Sequence, residues 1–420
     1  MTTTAEIIAI GDELTSGERL DTNSQWLSQR LAELGVRTLF HTTVGDDLAS
    51  NVRAFREARD RVDWIIVTGG LGPTADDLTR EALAAAMNAP LVENEMALHQ
   101  IRSLFARRGR EMPERNALQA MFPAGSRVVP NPHGTAPGID FESARPGRSP
   151  ARFICLPGVP AEMKEMWRES VAPTIRAALP GPPRLIRHRC VKCFGVGESH
   201  IEQMLPDLIR RGRQPSVGIT VHRATITLRV TAEGVSDDEC EHLIQPTIDT
   251  ISTCLGDLVY GRDEEELQDV VARCLSDQQT TLAVAEWGTG GLITEWMSEV
   301  TPPNPQFLGG LVIRNREALQ RCLDVPRTLI EQCGENSREV VRDMAERCRQ
   351  MFRADMAIAV GPFPEIQSSA ASPQHVHYAL ATPDEIIAES APYAGHPDIL
   401  QALIAKRALN AARLYLVHRR

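Results

Sequence analysis

The feature that most constrains this chain is an apolar run, Val62-Asp-Trp-Ile-Ile-Val67, that leads directly into Thr68-Gly-Gly-Leu-Gly-Pro-Thr-Ala-Asp-Asp-Leu-Thr79. A short apolar run bounded by turn residues reads as a buried strand. The glycines then let the backbone come close to a ligand, because no Cβ stands in the way. Leu78 to Met87 carries apolar residues at helical spacing, so the glycine loop joins a strand to a helix N-terminus. A turn of that kind points backbone N–H groups at an anion. Asp76 and Asp77 would repel a bare phosphate, which implies a bridging cation. Nucleotide or diphosphate binding is the natural reading of the segment.

The surrounding sequence alternates strand and helix. Ile7–Ile10, Val36–Val44 and Trp64–Thr68 read as strands. A helix capped near Thr22-Asn23 and ended by Gly35, and a second from Leu48 to Arg59, separate them. This rhythm predicts a parallel sheet covered by helices on both faces, with ligands at the carboxyl ends of the strands. The loops there are the polar ones: Gly11-Asp-Glu-Leu-Thr-Ser-Gly17, Gly45-Asp-Asp47 and the glycine loop. Together they bring Asp12, Glu13, Asp46, Asp76 and Asp77 toward one edge of the sheet. Further along, Ser143 to Ala151 reads as an exposed loop or hairpin tip, Phe153 to Leu156 as a strand and Ala161 to Ala178 as a helix. Pro180-Gly-Pro-Pro183 is a linker. Leu185–Phe194 and Ala224–Thr231 (strands) with Glu198–Arg211 and Asp237–Leu255 (helices) make a small α+β unit. From Glu265 a further α/β region contains strands at Leu282–Ala285, Leu308–Ile313 and Met356–Val360, and a helix from Leu400 to Val417.

Composition narrows the function. A net charge of −10 argues against a general nucleic-acid binder, which carries a basic surface. No apolar run is long enough to span a bilayer, and the first residues lack a signal-peptide pattern, so no membrane partner and a cytoplasmic location are expected. The nine cysteines are scattered, as free thiols are. Cys190-Val-Lys-Cys193 has no second pair at zinc-ligand spacing, and His375-x-His377 has no evident third ligand.

Several stretches together identify a family. Gly11-Asp-Glu-Leu14, Asp21-Thr-Asn-Ser24, Thr42-Thr-Val-Gly-Asp-Asp47, Thr68 to Glu81, Arg107-Arg-Gly-Arg110, Asn131 to Gly138 and Leu156-Pro-Gly-Val-Pro160 resemble the bacterial CinA family. Phe194-Gly-Val-Gly-Glu-Ser199 looks like the start of that family's KH-like middle domain. The resemblance implies three domains. Residues 1–178 would be a MoaB/MogA-like three-layer αβα sandwich, 184–258 a small α+β KH-like domain, and 264–420 an α/β CinA C-terminal domain. It also implies metal-dependent hydrolysis of ADP-ribose to AMP and ribose 5-phosphate by the first domain, a divalent metal cofactor and a homodimer. For the last domain it implies deamidation of nicotinamide mononucleotide by a serine assisted by a tyrosine and a lysine.

Residues carried over to the first domain are Asp46 and Asp77, at the two functional aspartates of the molybdopterin-binding relatives, with Glu13 beside them as a catalytic candidate. Asp46, Asp76 and Asp77 are the metal-ligand candidates. Thr68, Gly69, Gly70, Gly72, Thr74 and Thr79 fall on the phosphate loop, and Arg80, Asn23, Asn131, Gly134 and Thr135 are substrate-binding candidates. Plainer roles stand beside these: a helix cap for Asp76, an exposed helix position for Arg80, turn formation for Asn131 and Thr135. A non-catalytic pterin- or nucleotide-binding protein is the rival function. In the last domain the carry-over fails. The family's Glu-Ser-Cys-Thr-Gly-Gly is Glu286-Trp-Gly-Thr-Gly-Gly291 here, placing Trp287 at the nucleophile position. The tyrosine and lysine positions hold Arg314 and Leu319, and the late Gly-x-Arg motif reads Gly395-His-Pro397. Indole has no ionisable nucleophile, so deamidation is expected to be lost.

Overall fold

The computed structural model describes residues 3–181, 184–210, 212–364, 374–393 and 396–419. Gly395 and two residues of the Pro180–Pro183 linker lie outside the described residues. The chain forms two compact units, 1–187 with 232–243, and 188–231 with 244–420.

The first unit runs β1 (Thr4–Ile10), α1 (Asp12–Thr15), α2 (Thr22–Glu33), β2 (Arg37–Val44), α3 (Leu48–Arg61), β3 (Trp64–Thr68) and α4 (Thr79–Met87). It continues through β4 (Leu91–Glu93), α5 (Glu95–Arg107), β5 (Met121–Pro123), β6 (Arg127–Val129), β7 (Gly138–Arg145), β8 (Arg148–Leu156), α6 (Pro160–Met166) and α7 (Ala172–Ala178). Six strands form one sheet in the order β2-β1-β3-β8-β7-β6. The first four are parallel, whereas β7 runs antiparallel to both of its neighbours, β8 and β6, so the sheet is mixed rather than wholly parallel. The cause is a hairpin. β7 and β8 pair from Ile139↔Cys155 out to Arg145↔Arg148, so most of the polar Ser143–Ala151 stretch is strand.

Alternation along β1 sorts its side chains to opposite faces. Ile8 and Ile10 enter one core with Phe55, Leu83 and Ile101 of α3, α4 and α5. Ala5 and Ile7 enter the other with Leu27, Leu31, Met163 and Ile175 of α2, α6 and α7. Two buried faces, each roofed by helices, give the three-layer αβα sandwich. Glu6 in mid-strand is fully buried; Arg61 Nε (2.7 Å) and the Thr42 hydroxyl (2.6 Å) donate to its carboxylate, which offsets the cost of burying charge. The Ala161–Ala178 helix includes a wider π-turn at Trp167–Val171, where Trp167 packs edge-on to Trp26 with centroids 6.1 Å apart.

The chain continues through β9 (Leu185–Cys193), α8 (Glu198–Met204), β10 (Ser216–His222), β11 (Thr225–Gly234), α9 (Asp237–Leu255) and β12 (Val259–Arg262), which fall mostly in the second unit. The order of these strands is β10-β11-β9-β12. Helix α8 stops at Met204, well before Arg211, because Leu205 precedes a proline, which disfavours helical geometry. Beyond lie α10 (Leu267–Gln278), β13 (Leu282–Glu286), α11 (Leu292–Glu299), β14 (Phe307–Val312), α12 (Arg316–Leu323), α13 (Arg327–Cys333), α14 (Arg338–Phe352), β15 (Met356–Val360), β16 (His375–Ala381), β17 (Ile386–Pro392) and α15 (Pro397–His418). Their sheet is β14-β13-β15-β16-β17, parallel over the first three strands. Here too β13 feeds two cores, Leu282 and Val284 toward α10 and α15, Ala283 and Ala285 toward α12 and α14.

Candidate functional site

Strand order locates the first site. The chain leaves β1 toward β2 on one side and returns to β3 on the other, so a crevice opens beyond the carboxyl ends of β1 and β3. A cleft of about 140 Å³ occupies that position. Ile10 and Thr68 end the two strands at its floor, and Glu13, Arg19, Leu20, Asp21, Asn23, Gly158 and Pro160 complete most of the wall. Asn23 Nδ2 donates to the Thr68 hydroxyl (3.2 Å) and to Gly158 O (2.9 Å). Its Oδ1 is buried without a donor. Asp21 caps α2 by accepting from Ser24 N (2.9 Å).

Next to the cleft, the loops after β1 and β2 clasp each other. Asp12 N donates to Asp46 Oδ2 and Asp46 N donates to Asp12 Oδ1, both at 3.0 Å. Burial raises the Asp46 pKa. The Asp12 N–H opposes that shift, while the charges of Asp12, Asp76 and Glu13 reinforce it. The charges of three carboxylates from two neighbouring loops thus reach Asp46, and one of the three, Glu13, also lines the cleft wall. Asp47 stands apart as the cap of α3, accepting from Ser50 N (2.7 Å), which lowers its pKa.

The glycine loop is built differently from the sequence expectation. Asp77 turns into its own loop and accepts from Gly72 N (2.7 Å), Thr74 N (2.8 Å) and the Thr74 hydroxyl. The Thr79 hydroxyl donates to Gly69 O (2.8 Å). Arg80 is only 2% exposed, not a surface helix residue; its guanidinium donates to Leu71 O (2.8 Å) and Gly72 O (2.6 Å). Asp76 does not cap α4, whose preceding residue is Leu78 with no side-chain cap. Gly69 has φ +107°, and a Cβ there would lie 2.3 Å from Ile10 O, so this glycine lets β1 and the loop close together.

Asn131, Gly134 and Thr135 do not line the cleft. Asn131 is buried and organises its turn, donating to Ala136 O (2.9 Å) and Glu162 Oε2 (2.8 Å) and accepting from Gly134 N (2.8 Å). Of the residues singled out in the sequence, Glu13, Asn23 and Thr68 line the cleft, and the charges of Glu13 and Asp76 both act on Asp46. Arg19 and Leu20 also line it and carried no sequence signal, being a charged and an apolar residue in an unpatterned loop. Among the described residues no three His, Cys, Asp or Glu side chains are grouped so as to hold a metal ion alone. The donors near Asp46 are hard carboxylate oxygens, which fit a cation that takes the rest of its coordination from phosphate and water. Asp77 does not fit as a ligand, since its oxygens are already engaged.

In the second unit, Glu286 is fully buried and accepts from Ile293 N (2.9 Å), Thr294 N (2.8 Å) and the Thr294 hydroxyl (2.7 Å), fixing the start of α11. Trp287 is half-buried against the core that contains Leu319, which is itself fully buried. The Phe363 ring rests on Gly288, where a Cβ would lie 2.1 Å from Cδ1, and stacks at 5.0 Å on Tyr393. Arg314 is exposed.

These features define an α/β protein with a switch-point cleft, joined to a small α+β domain and a second α/β domain. Residues 6–177 match the family model "Probable molybdopterin binding domain", 188–261 the "Damage-inducible protein CinA KH domain" and 264–416 the "CinA C-terminal domain". The chain belongs to the CinA, or competence/damage-inducible protein, family. It is 36% identical over 419 residues to a "Putative competence-damage inducible protein" of Caldanaerobacter subterraneus subsp. tengcongensis, covering 98% of each chain. It is 40% identical to a "CinA-like protein" of Dictyoglomus thermophilum over 84% of each. A solved CinA structure from Thermoplasma acidophilum is 32% identical over 41% of this chain and 98% of its own, with a TM-score of 0.38. Among the described residues no helix is long and apolar enough to cross a membrane.

Proposed function

We propose that the first unit hydrolyses ADP-ribose to AMP and ribose 5-phosphate with a divalent cation, and that the C-terminal domain has lost deamidation. The observation that carries the first half is Glu13, which joins the cleft wall to the mutually repelling carboxylates around Asp46. Asp46 would hold the cation, with phosphate oxygens and water completing its shell and the charges of Asp76 and Glu13 nearby. When bound, it would supply charge neutralisation to the diphosphate. Asn23 and Thr68 form a polar floor that orients the substrate. Water adds to one phosphorus, the bridging P–O bond breaks, and the water's proton passes to a carboxylate of the acidic group. Asp77, Thr79 and Arg80 hold the loop in shape rather than touching substrate. Incubation of the folded protein with ADP-ribose and a panel of divalent ions should release AMP. No AMP with any ion would overturn the reading.

The second half rests on Leu319, buried in a hydrophobic core, and Trp287, packed half-buried against it, where the family places a lysine and a nucleophile. Ammonia release from nicotinamide mononucleotide would refute it. The match of residues 6–177 to a molybdopterin-binding family favours one rival, a protein that holds its ligand without cleaving it. Tight binding by calorimetry without product would support that rival.

A further inference from the structure

We infer that Arg19 is the residue that recognises a phosphate of the ligand in the β1/β3 cleft, an inference that rests on the nucleotide reading of that cleft. Arg19 is the sole cation in a wall whose other charged members are Glu13 and Asp21. Asp21 is committed to capping α2. Arg19 is exposed, and among the described residues its guanidinium forms no hydrogen bond or ion pair. Some arginines of this unit are tied down, as Arg61 is by Glu6, Arg80 by loop carbonyls, Arg145 by Asp63 and Arg152 by Asp140; Arg19 differs from the untied ones in lining the cleft.

Its backbone is nonetheless fixed. Arg19 N donates to Glu13 O (3.0 Å), Gly17 N to Leu14 O (3.3 Å), and Thr22 N to Leu20 O (3.0 Å). The 16–20 loop therefore folds back over α1 and holds the Arg19 side chain at the cleft mouth. A free guanidinium on a pinned backbone loses little loop entropy on meeting an anion, and its planar fork suits two phosphate oxygens. Leu20 beside it, 85% exposed and also lining the cleft, offers an apolar face to a ribose or base. The acidic group around Asp46 takes a cation; Arg19 takes the anionic group that a cation bound there would leave unneutralised.

The test measures ADP-ribose affinity by calorimetry, alongside turnover, on the full chain in three forms: unaltered, Arg19→Ala and Arg19→Lys. Loss of a charge-assisted contact of this kind should weaken binding about tenfold or more in Arg19→Ala. Arg19→Lys should recover part of it, and raised salt should weaken the unaltered protein more than Arg19→Ala. Arg19→Ala with unchanged affinity and salt dependence would overturn the inference while leaving AMP release, and hence the function proposed above, intact. Binding without AMP release would refute the hydrolase reading but still test Arg19. A protein that neither binds nor cleaves ADP-ribose would overturn both. Matched circular dichroism spectra of the three forms separate recognition from misfolding.

Discussion

Asp77→Ala is the most informative single change in the first unit, because the structure assigns Asp77 a different job from the one its position suggests. Its carboxylate receives three donors, Gly72 N, Thr74 N and the Thr74 hydroxyl, and so closes the glycine loop. The Gly72 bond is part-buried and charge-assisted, worth about 1.5–3 kcal/mol, whereas the two exposed bonds to Thr74 add little, so the expected loss is about 2–3 kcal/mol. For a unit of roughly 200 residues that lowers the melting temperature by roughly 5–10 °C. Asp77→Asn should fare almost as badly, since one of its two terminal atoms becomes a donor facing other donors. Scanning calorimetry of the full chain reads the stability loss, and AMP release reads activity. Both variants should lose turnover and stability together. Full thermal stability with abolished turnover would refute the clamp and return Asp77 to the chemistry.

Asp46→Asn should behave oppositely. Burial and neighbouring charge raise the Asp46 pKa in the folded state, so its favourable contribution is present below the unfolded value of 3.8 and is lost as pH rises through the folded pKa. The variant should therefore be at least as stable as the unaltered protein at pH 7, with the difference vanishing below pH 3.8, while AMP release falls; urea titrations across pH check the sign. Trp287→Ser should release no ammonia from nicotinamide mononucleotide and should cost about 2–3 kcal/mol by denaturant melting, since a half-buried indole leaves a void. Alkylation by iodoacetamide, followed by mass spectrometry, should label the exposed Cys322 and Cys333 first. Cys193 and Cys348, pushed up to about 12 by burial, and the still more buried Cys155 should stay unlabelled in the native state.

The parts legible in the sequence were those set by periodicity and turn chemistry. Trp64–Thr68 begins and ends where the apolar run and the glycines say, and Asp237–Leu255 and Met356–Val360 likewise match their patterns. A hairpin tip was legible in Ser143–Ala151, but the length of its strands was not, because the polar residues are held by cross-strand pairing and not by their own propensity. Site composition could be read but side-chain direction could not. Asp76 and Asp77 are adjacent and chemically identical, yet the charge of Asp76 reaches Asp46 while Asp77 takes the Gly72 and Thr74 N–H groups, a choice made by where those N–H groups point. Arg80 looked like a surface residue until the loop carbonyls it serves were in place. Arg19 had no pattern at all, because its meaning comes from Thr68, distant in sequence, which ends the strand across the cleft.

Trp287 also bears on what this lineage can become. The indole packs against the core that contains Leu319, so both positions answer to stability. Replacing one of them with a polar residue would open a void or bury an unpaired group before any activity returned. A domain with the usual 5–15 kcal/mol of stability can survive one such step, but selection would see only its cost. The aromatic filling therefore makes position 287 a structural one: a substitution there is felt in packing first, while the surface around Gly288 is held by the Phe363 ring.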